Sequence, residues 1–209
     1  MARNDARRDD ILEAAAEVFV ERGFDAATTR DIGERAGVLS GSLYHHFETK
    51  EEMLFALVRD VYTGVLSSLE SLHEAPGTCA DRLRLLLDIH VRHLIGNLAR
   101  TTLSLHESRS LTDEHRAVIA EAENRYVRIV TDLIEGGRAD GSIRGDADPM
   151  LARMVVLGAA NWVYRWYRPD GEHTPEEIAA CIASLTVDGL AVETMQRRGS
   201  EGNVAALHR

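Results

Sequence analysis

The first 75 residues contain no proline, and their apolar residues recur at three- and four-residue spacing. A proline-free stretch with that period folds as amphipathic helices, because side chains at i, i+3 and i+4 share one helix face. The four prolines, Pro76, Pro149, Pro169 and Pro175, all stand where a helix would begin or end. No run alternates apolar and polar residues over the length of a strand. The pattern predicts an all-α chain of about nine helices.

Ile11, Leu12, Ala15, Val18 and Phe19 line one face of a first helix, from about Arg7 to Arg22, which Gly23 stops. A second starts near Thr28–Thr29, where a hydroxyl can cap exposed amides, and ends at Gly37. A short third runs from Ser40 to His46. A fourth starts at Thr49, reads as a capping box with Glu52, and extends towards His73. Beyond the break EAPGTCAD, helical patterns cover about Ala80–Asn97, a piece near Arg100–Glu107, and Asp113–Arg138. Asp148-Pro149 opens an apolar helix to about Tyr167. Thr174-Pro175-Glu176-Glu177 opens the last, to about Gln196.

Helices two and three, joined by a short turn at Gly37-Val38, read as a helix–turn–helix. In that motif the N-terminal residues of the second helix enter a major groove. Gly41 lets the backbone approach closely, and Ser40 and Ser42 are small hydroxyls that reach phosphates or base edges. Tyr44 and His45 on the next turn can donate to phosphates. Leu43 and Phe47, at i and i+4, anchor the helix to its own domain. His45 and His46 diverge by about 100 degrees on a helix and chelate one metal poorly, so the expectation is His45 towards DNA and His46 towards the domain, with no metal.

The net charge is −10, which counts against gripping nucleic acid by bulk charge. Any DNA contact must come from placement. Of the 24 basic residues, the only lysine is Lys50, on the first turn of helix four. A cation there opposes the helix dipole, but a phosphate could be shared between the Lys and the free amides. A solvated Lys beside Glu51 and Glu52 is the bland alternative.

TTRDIGERAGVLSGSLYHHFETKEEML closely resembles the signature of the TetR (tetracycline-repressor) family of bacterial transcription regulators, and the preceding ILEAAAEVFVERGFDAAT resembles that family's first helix. The likeness is continuous over about Asp9–Leu57. It implies a homodimer that binds double-stranded DNA at an inverted-repeat operator, with a DNA-binding domain over residues 1–52, a ligand-binding and dimerisation domain over 53–196, and a tail over 197–209. Carried over by position, it implies DNA contacts from Thr29, Arg30, Ser40, Gly41, Ser42, Tyr44, His45 and Lys50. Leu39 departs from the pattern, since the family often has Ser or Thr there as the cap of the reading helix. Ser40 either caps in its place or contacts a base.

In the C-terminal two-thirds, NWVYRWYRPDG is the richest stretch. Trp162 and Trp166, at i and i+4, are read either as core and dimer packing or as a pocket wall, with Arg165 or Arg168 for a carboxylate, phosphate or nucleotide. The segment is similar to ones in TetR-type repressors of fatty-acid and steroid catabolism, which answer to acyl-CoA compounds. His90 and His93, at i and i+3 with Asp88 and His106 as possible neighbours, could bind a metal or orient a ligand; a polar seam is the commoner arrangement. Ala152, Val155, Val156, Gly158 and Ala159, then Ile178, Ala179, Ile182, Leu185 and Leu190, suit either a four-helix dimer interface or an intramolecular core.

The competing class is a helical enzyme, or a protein-interaction module with no DNA role. No Ser-His-Asp order, glycine-rich phosphate loop or HExxH motif is present, so neither catalysis nor a cofactor is expected. Cys79 and Cys181 lack CxxC spacing, no apolar run approaches the roughly 20 residues that span a bilayer, and no signal-peptide pattern opens the chain. A cytoplasmic regulator with free thiols is the expectation.

Overall fold

A computed structural model describes residues 2–191. Among them are ten α-helical segments: α1 (Ala2–Arg22), α2 (Thr29–Ala36), α3 (Ser40–Leu43), α4 (Lys50–Ser68), α5 (Cys79–Gly96), α6 (Leu98–His106), α7 (Asp113–Asp140), α8 (Pro149–Asn161), α9 (Val163–Trp166) and α10 (Pro175–Ala183). Single 3-10 turns at Leu72–Glu74 and Ser108–Ser110 link them, and α10 continues as a π-turn, Ser184–Asp188. The expected tail 197–209, and the last helix beyond 191, lie outside the described residues. No helix among those described is long and apolar enough to cross a membrane.

Most starts follow local chemistry. Thr28 with Asp31, Thr78 with Asp81 and Thr174 with Glu177 each form a reciprocal capping box, and Asp148 caps α8 ahead of Pro149. At α4 only half of the expected box forms. Thr49 accepts from the Glu52 N–H, but the Glu52 carboxylate reaches back to the Glu48 N–H at 2.7 Å.

Three expectations need correction. Helix α3 stops at Leu43, and residues 44–46 form a turn rather than a further helical turn. The helix expected from Asp148 to Tyr167 is interrupted at Trp162, which caps α8 and leads into α9. The last helix loosens into the π-turn, where the Thr186 hydroxyl donates back to the Ile182 carbonyl and competes with the regular ladder. The chain then pairs with the loop after α7, through Arg144 N–H to the Leu190 carbonyl at 2.8 Å and an isolated Ile143–Ala191 bridge.

Two apolar cores share α4. Ile11, Phe19, Ile32, Leu43, Met53 and Leu57 build the N-terminal core, which Leu103 of α6 and Ile119 of α7 close from the other side. Further along α4, Val65 and Leu66 enter the larger core with Leu83, Leu87, Val130 and Val156. Helix α4 therefore joins the two halves as one rigid element. Polar contacts reinforce the joint. Glu51 accepts from the Thr112 N–H at 2.8 Å and from His115 Nδ1 at 2.9 Å, and the His115 ring stacks on Phe55. Arg100 of α6 pairs with Glu13 of α1 and, at 3.6 Å, with Asp60 of α4.

Candidate functional site

The turn between α2 and α3 is built by two glycines. Gly37 adopts φ +64, the left-handed region that a glycine enters without strain, and ends α2. Gly33 is buried where α2 meets the start of α3: a Cβ there would sit 3.0 Å from the Val38 carbonyl oxygen and 3.4 Å from the Ser40 nitrogen. The sequence reading passed over Gly33, whose only signal was a glycine inside a helix. Leu43 and Phe47 are buried beneath α3, as the i, i+4 pattern predicts.

The outer side of α3 is open. A Cβ built on Gly41 meets nothing within 4 Å. Tyr44 and His45 are exposed, whereas His46 is partly covered. Residues 36–47 contain no charged side chain, which keeps an acidic chain's carboxylates off this surface. Leu39 is the residue before α3; it makes no side-chain cap and is 82% exposed. Ser40 is the first helical residue and does not cap in its place. Its hydroxyl stays available to a partner.

Cations near this surface are held in different ways. Arg30 makes only an exposed pair with Glu34 at 3.0 Å, which salt or a phosphate can displace. Arg35 is fixed between Glu17 and Glu21 of α1, both at 2.6 Å. Arg8, which the sequence reading did not single out, lies over the Phe47 ring at 4.9 Å. Lys50 donates to the carbonyls of Phe24 (2.6 Å), Ala27 (2.9 Å) and Asp25 (3.2 Å), and its ammonium lies 4.4 Å from the centre of the Phe24 ring. All three of its donors clasp the α1–α2 loop. Neither the phosphate-sharing picture nor the solvated alternative foresaw this.

A second site lies between α4, α5, α6, α7 and α8, in a cavity of about 120 Å³. Val61, Tyr62 and Val65 of α4 form one wall, and His90 and His93 of α5 another. Thr101 and Ser104 of α6, Tyr126 of α7 and Asn161 of α8 complete its polar lining, with Glu123 beside them. His90 Nδ1 lies 2.6 Å from the Tyr126 hydroxyl. Burial depresses His90 to about 4; the Asn161 side chain favours the charged ring, but it does not come within hydrogen-bonding geometry of Nε2. His93 is also lowered by burial; its Nε2 donates to the Val61 carbonyl at 3.0 Å. That bond and the close approach of His93 to Gly64 tie the cavity to α4.

The two candidate ligand groups separate. His90 and His93 line the cavity. Trp162, Arg165, Trp166 and Arg168 are exposed and do not line it; Trp162 is 59% and Trp166 46% exposed, so neither tryptophan is core. Glu123 is exposed and also borders the cavity. The suggested neighbours of the histidines are engaged elsewhere: Asp88 with Arg92, His106 with the Tyr164 hydroxyl. No cluster of three or more metal-ligating side chains occurs among the described residues.

Comparison with known proteins covers both regions. Residues 11–57 match the family model for bacterial regulatory proteins of the tetR family, and residues 76–190 match that for the tetracyclin repressor-like C-terminal domain. The HTH-type transcriptional repressor KstR2 of Rhodococcus jostii is 35% identical, covering 88% of this chain and 91% of its own. The structure of ketosteroid transcriptional regulator KstR2 of Mycobacterium tuberculosis superposes with a TM-score of 0.85 at 29% identity, covering 90% of this chain and 96% of that one. AibR, solved in complex with isovaleryl coenzyme A and operator DNA, superposes with a TM-score of 0.77 at 28% identity, covering 87% and 98%.

Proposed function

Because the chain belongs to the TetR family of bacterial transcription regulators, and is therefore no enzyme, we propose that it represses transcription as a homodimer seated on an inverted-repeat operator and is released by an acyl-CoA effector. The observation that carries the DNA half is the carboxylate-free outer side of α3 in a chain of net charge −10. Ser40, Gly41 and Ser42 approach the base edges, and exposed Leu39 offers an apolar contact suited to a thymine methyl group. Thr29, Arg30, Tyr44 and His45 meet phosphates, while Lys50 acts by holding the α1–α2 loop in place. Residues 1–52 serve as the reading head and 53–196 as the sensor and dimer domain, in the cytoplasm.

The sensor works through α4. One wall of the cavity is α4, whose first turn carries Lys50 and Glu51. A ligand that widens the cavity displaces α4 and, with it, the reading head. Ligand and DNA then oppose each other by the same factor in both directions. The likeness to a protein solved with isovaleryl coenzyme A and operator DNA supports an acyl-CoA effector. The exposed Trp162, Arg165, Trp166 and Arg168 surface suits the nucleotide end of such a ligand, by stacking and phosphate pairing.

Two chains associate through the outer face of α8. Met150, Leu151, Met154 and Val155 are all exposed there, beside Leu185 of the π-turn. Of the residues that suited either a dimer interface or an intramolecular core, Ala152, Val156, Ile178 and Ala179 are buried within one chain. Gel shifts on the chain's own promoter region test the whole reading. A discrete band that isovaleryl-CoA dissolves is expected. A folded dimer giving no sequence-specific band at low salt would sink it.

A further inference from the structure

We infer that the cavity takes the acyl end of the effector as a short, neutral group, whose carbonyl oxygen accepts hydrogen bonds from His90 Nε2 and Thr101 Oγ1. This deepens the acyl-CoA reading above and rests on it.

Two enclosed polar atoms among the described side chains lack a hydrogen-bond partner, His90 Nε2 and Thr101 Oγ1, and both residues line this cavity. Thr101 is only 6% exposed. Buried polar groups are nearly always paired, so two orphans in one cavity point to a ligand that completes them. The geometry fixes what that ligand must offer. Burial raises the Tyr126 phenol well above its ordinary range, so it keeps its proton. Its one hydrogen-bond partner among the described residues is His90 Nδ1, at 2.6 Å. The phenol therefore donates to Nδ1, and the neutral imidazole carries its own proton on Nε2. That nitrogen is a donor, as is the Thr101 hydroxyl. Both call for an acceptor oxygen.

Charge and size narrow the class. No Lys or Arg is among the residues lining the cavity, and Glu123 is its one carboxylate. A free carboxylate entering it would lose its hydration beside a like charge with no cation in reach. A thioester carbonyl is an acceptor without that cost. On the scale by which a cavity of about 150 Å³ takes benzene, this one takes about five heavy atoms, the size of a short acyl group of about four carbons with its carbonyl oxygen, and far less than a fatty-acyl chain.

Calorimetric titration of the full-length protein tests this with isovaleryl-CoA, its thioether analogue bearing CH2 in place of the carbonyl, hexadecanoyl-CoA and free isovalerate. Isovaleryl-CoA should bind about tenfold more tightly than the thioether and more tightly than hexadecanoyl-CoA, with no detectable binding of isovalerate. Thr101→Val should weaken isovaleryl-CoA about three- to tenfold and narrow its margin over the thioether. Thr101→Ser should retain both. Thr101→Val should melt no lower than the parent, since its hydroxyl has no partner in the free protein. Equal binding of thioester and thioether, or a preference for isovalerate or hexadecanoyl-CoA, overturns the inference. The effector reading survives those results if any CoA thioester still releases the operator. Release by none of them defeats both.

Discussion

Replacing Lys50 removes three hydrogen bonds to carbonyl groups and a cation over the Phe24 ring. Two of those carbonyls, on Phe24 and Ala27, are partly buried, so Lys50→Met should lower urea stability by about 1–3 kcal/mol. Operator binding should weaken through a loosened loop, with the salt dependence of binding unchanged. A slope flattened by about one unit would instead identify a direct phosphate contact. The sequence showed that this one lysine was special, but not its partners, because carbonyls more than twenty residues away leave no local pattern. His90 is a parallel case: its spacing to His93 was visible, its burial was not. Its folded-state value, about 4, lies below the ordinary 6.5, so the unfolded chain binds more protons between those values. The buried neutral ring costs nothing above about pH 6.5, and stability falls as the pH drops from there towards 4. At pH 5 the loss is about 2 kcal/mol. His93, lowered the same way, adds to it. Urea unfolding at pH 7.5 and pH 5 should show a fall that His90→Gln, which does not titrate, reduces by about that amount. An equal fall in both proteins would count against a buried neutral His90.

The elements most legible in the sequence are those whose ends are set by neighbours three residues apart. The hydroxyl cap at Thr28 and the box at Thr174–Glu177 act within one helical turn, and the starts expected from them are those found. The interruption at Trp162 and the π-turn after Ala183 were not legible. The first has no proline at the junction, and the second accompanies pairing of Arg144 with Leu190 across the fold. Between these extremes lies the crossing of α2 and α3. Gly37 announced the turn, but how closely the helices approach depends on Gly33. A Cβ at Gly33 already crowds backbone atoms of Val38 and Ser40, and a branched side chain crowds them further. Gly33→Val should push α3 out of register with the groove. Operator affinity should fall at least tenfold, by gel shift, with helix content by circular dichroism nearly unchanged and a stability loss of about 1–3 kcal/mol. Full operator affinity in a folded Gly33→Val protein would show that this contact does not set the reading helix.

At the scale of the whole molecule, α8 was the hardest element to read, because it is apolar on nearly every side. Periodicity cannot divide such a helix into inner and outer faces. The fold does so: Ala152, Val156 and Ala160 enter the core, while Leu151, Val155 (62% exposed) and, across a groove, Leu185 (77% exposed) remain outside. On the dimeric reading proposed above, an apolar surface of this kind is where the two chains would meet. Leu151→Glu tests it, since a carboxylate at a two-fold interface meets its own copy and loses its water at once. Sedimentation should give the mass of one chain. The side chain is solvent-facing within the chain, so unfolding of the isolated chain should change little. Operator binding should be lost, because a single reading helix covers only one half-site. The cavity is lined here by residues of a single chain, so binding of isovaleryl-CoA should persist in the monomer to the extent that the acyl end contributes. A Leu151→Glu protein that still sediments as a dimer and still shifts the operator would move the interface away from α8.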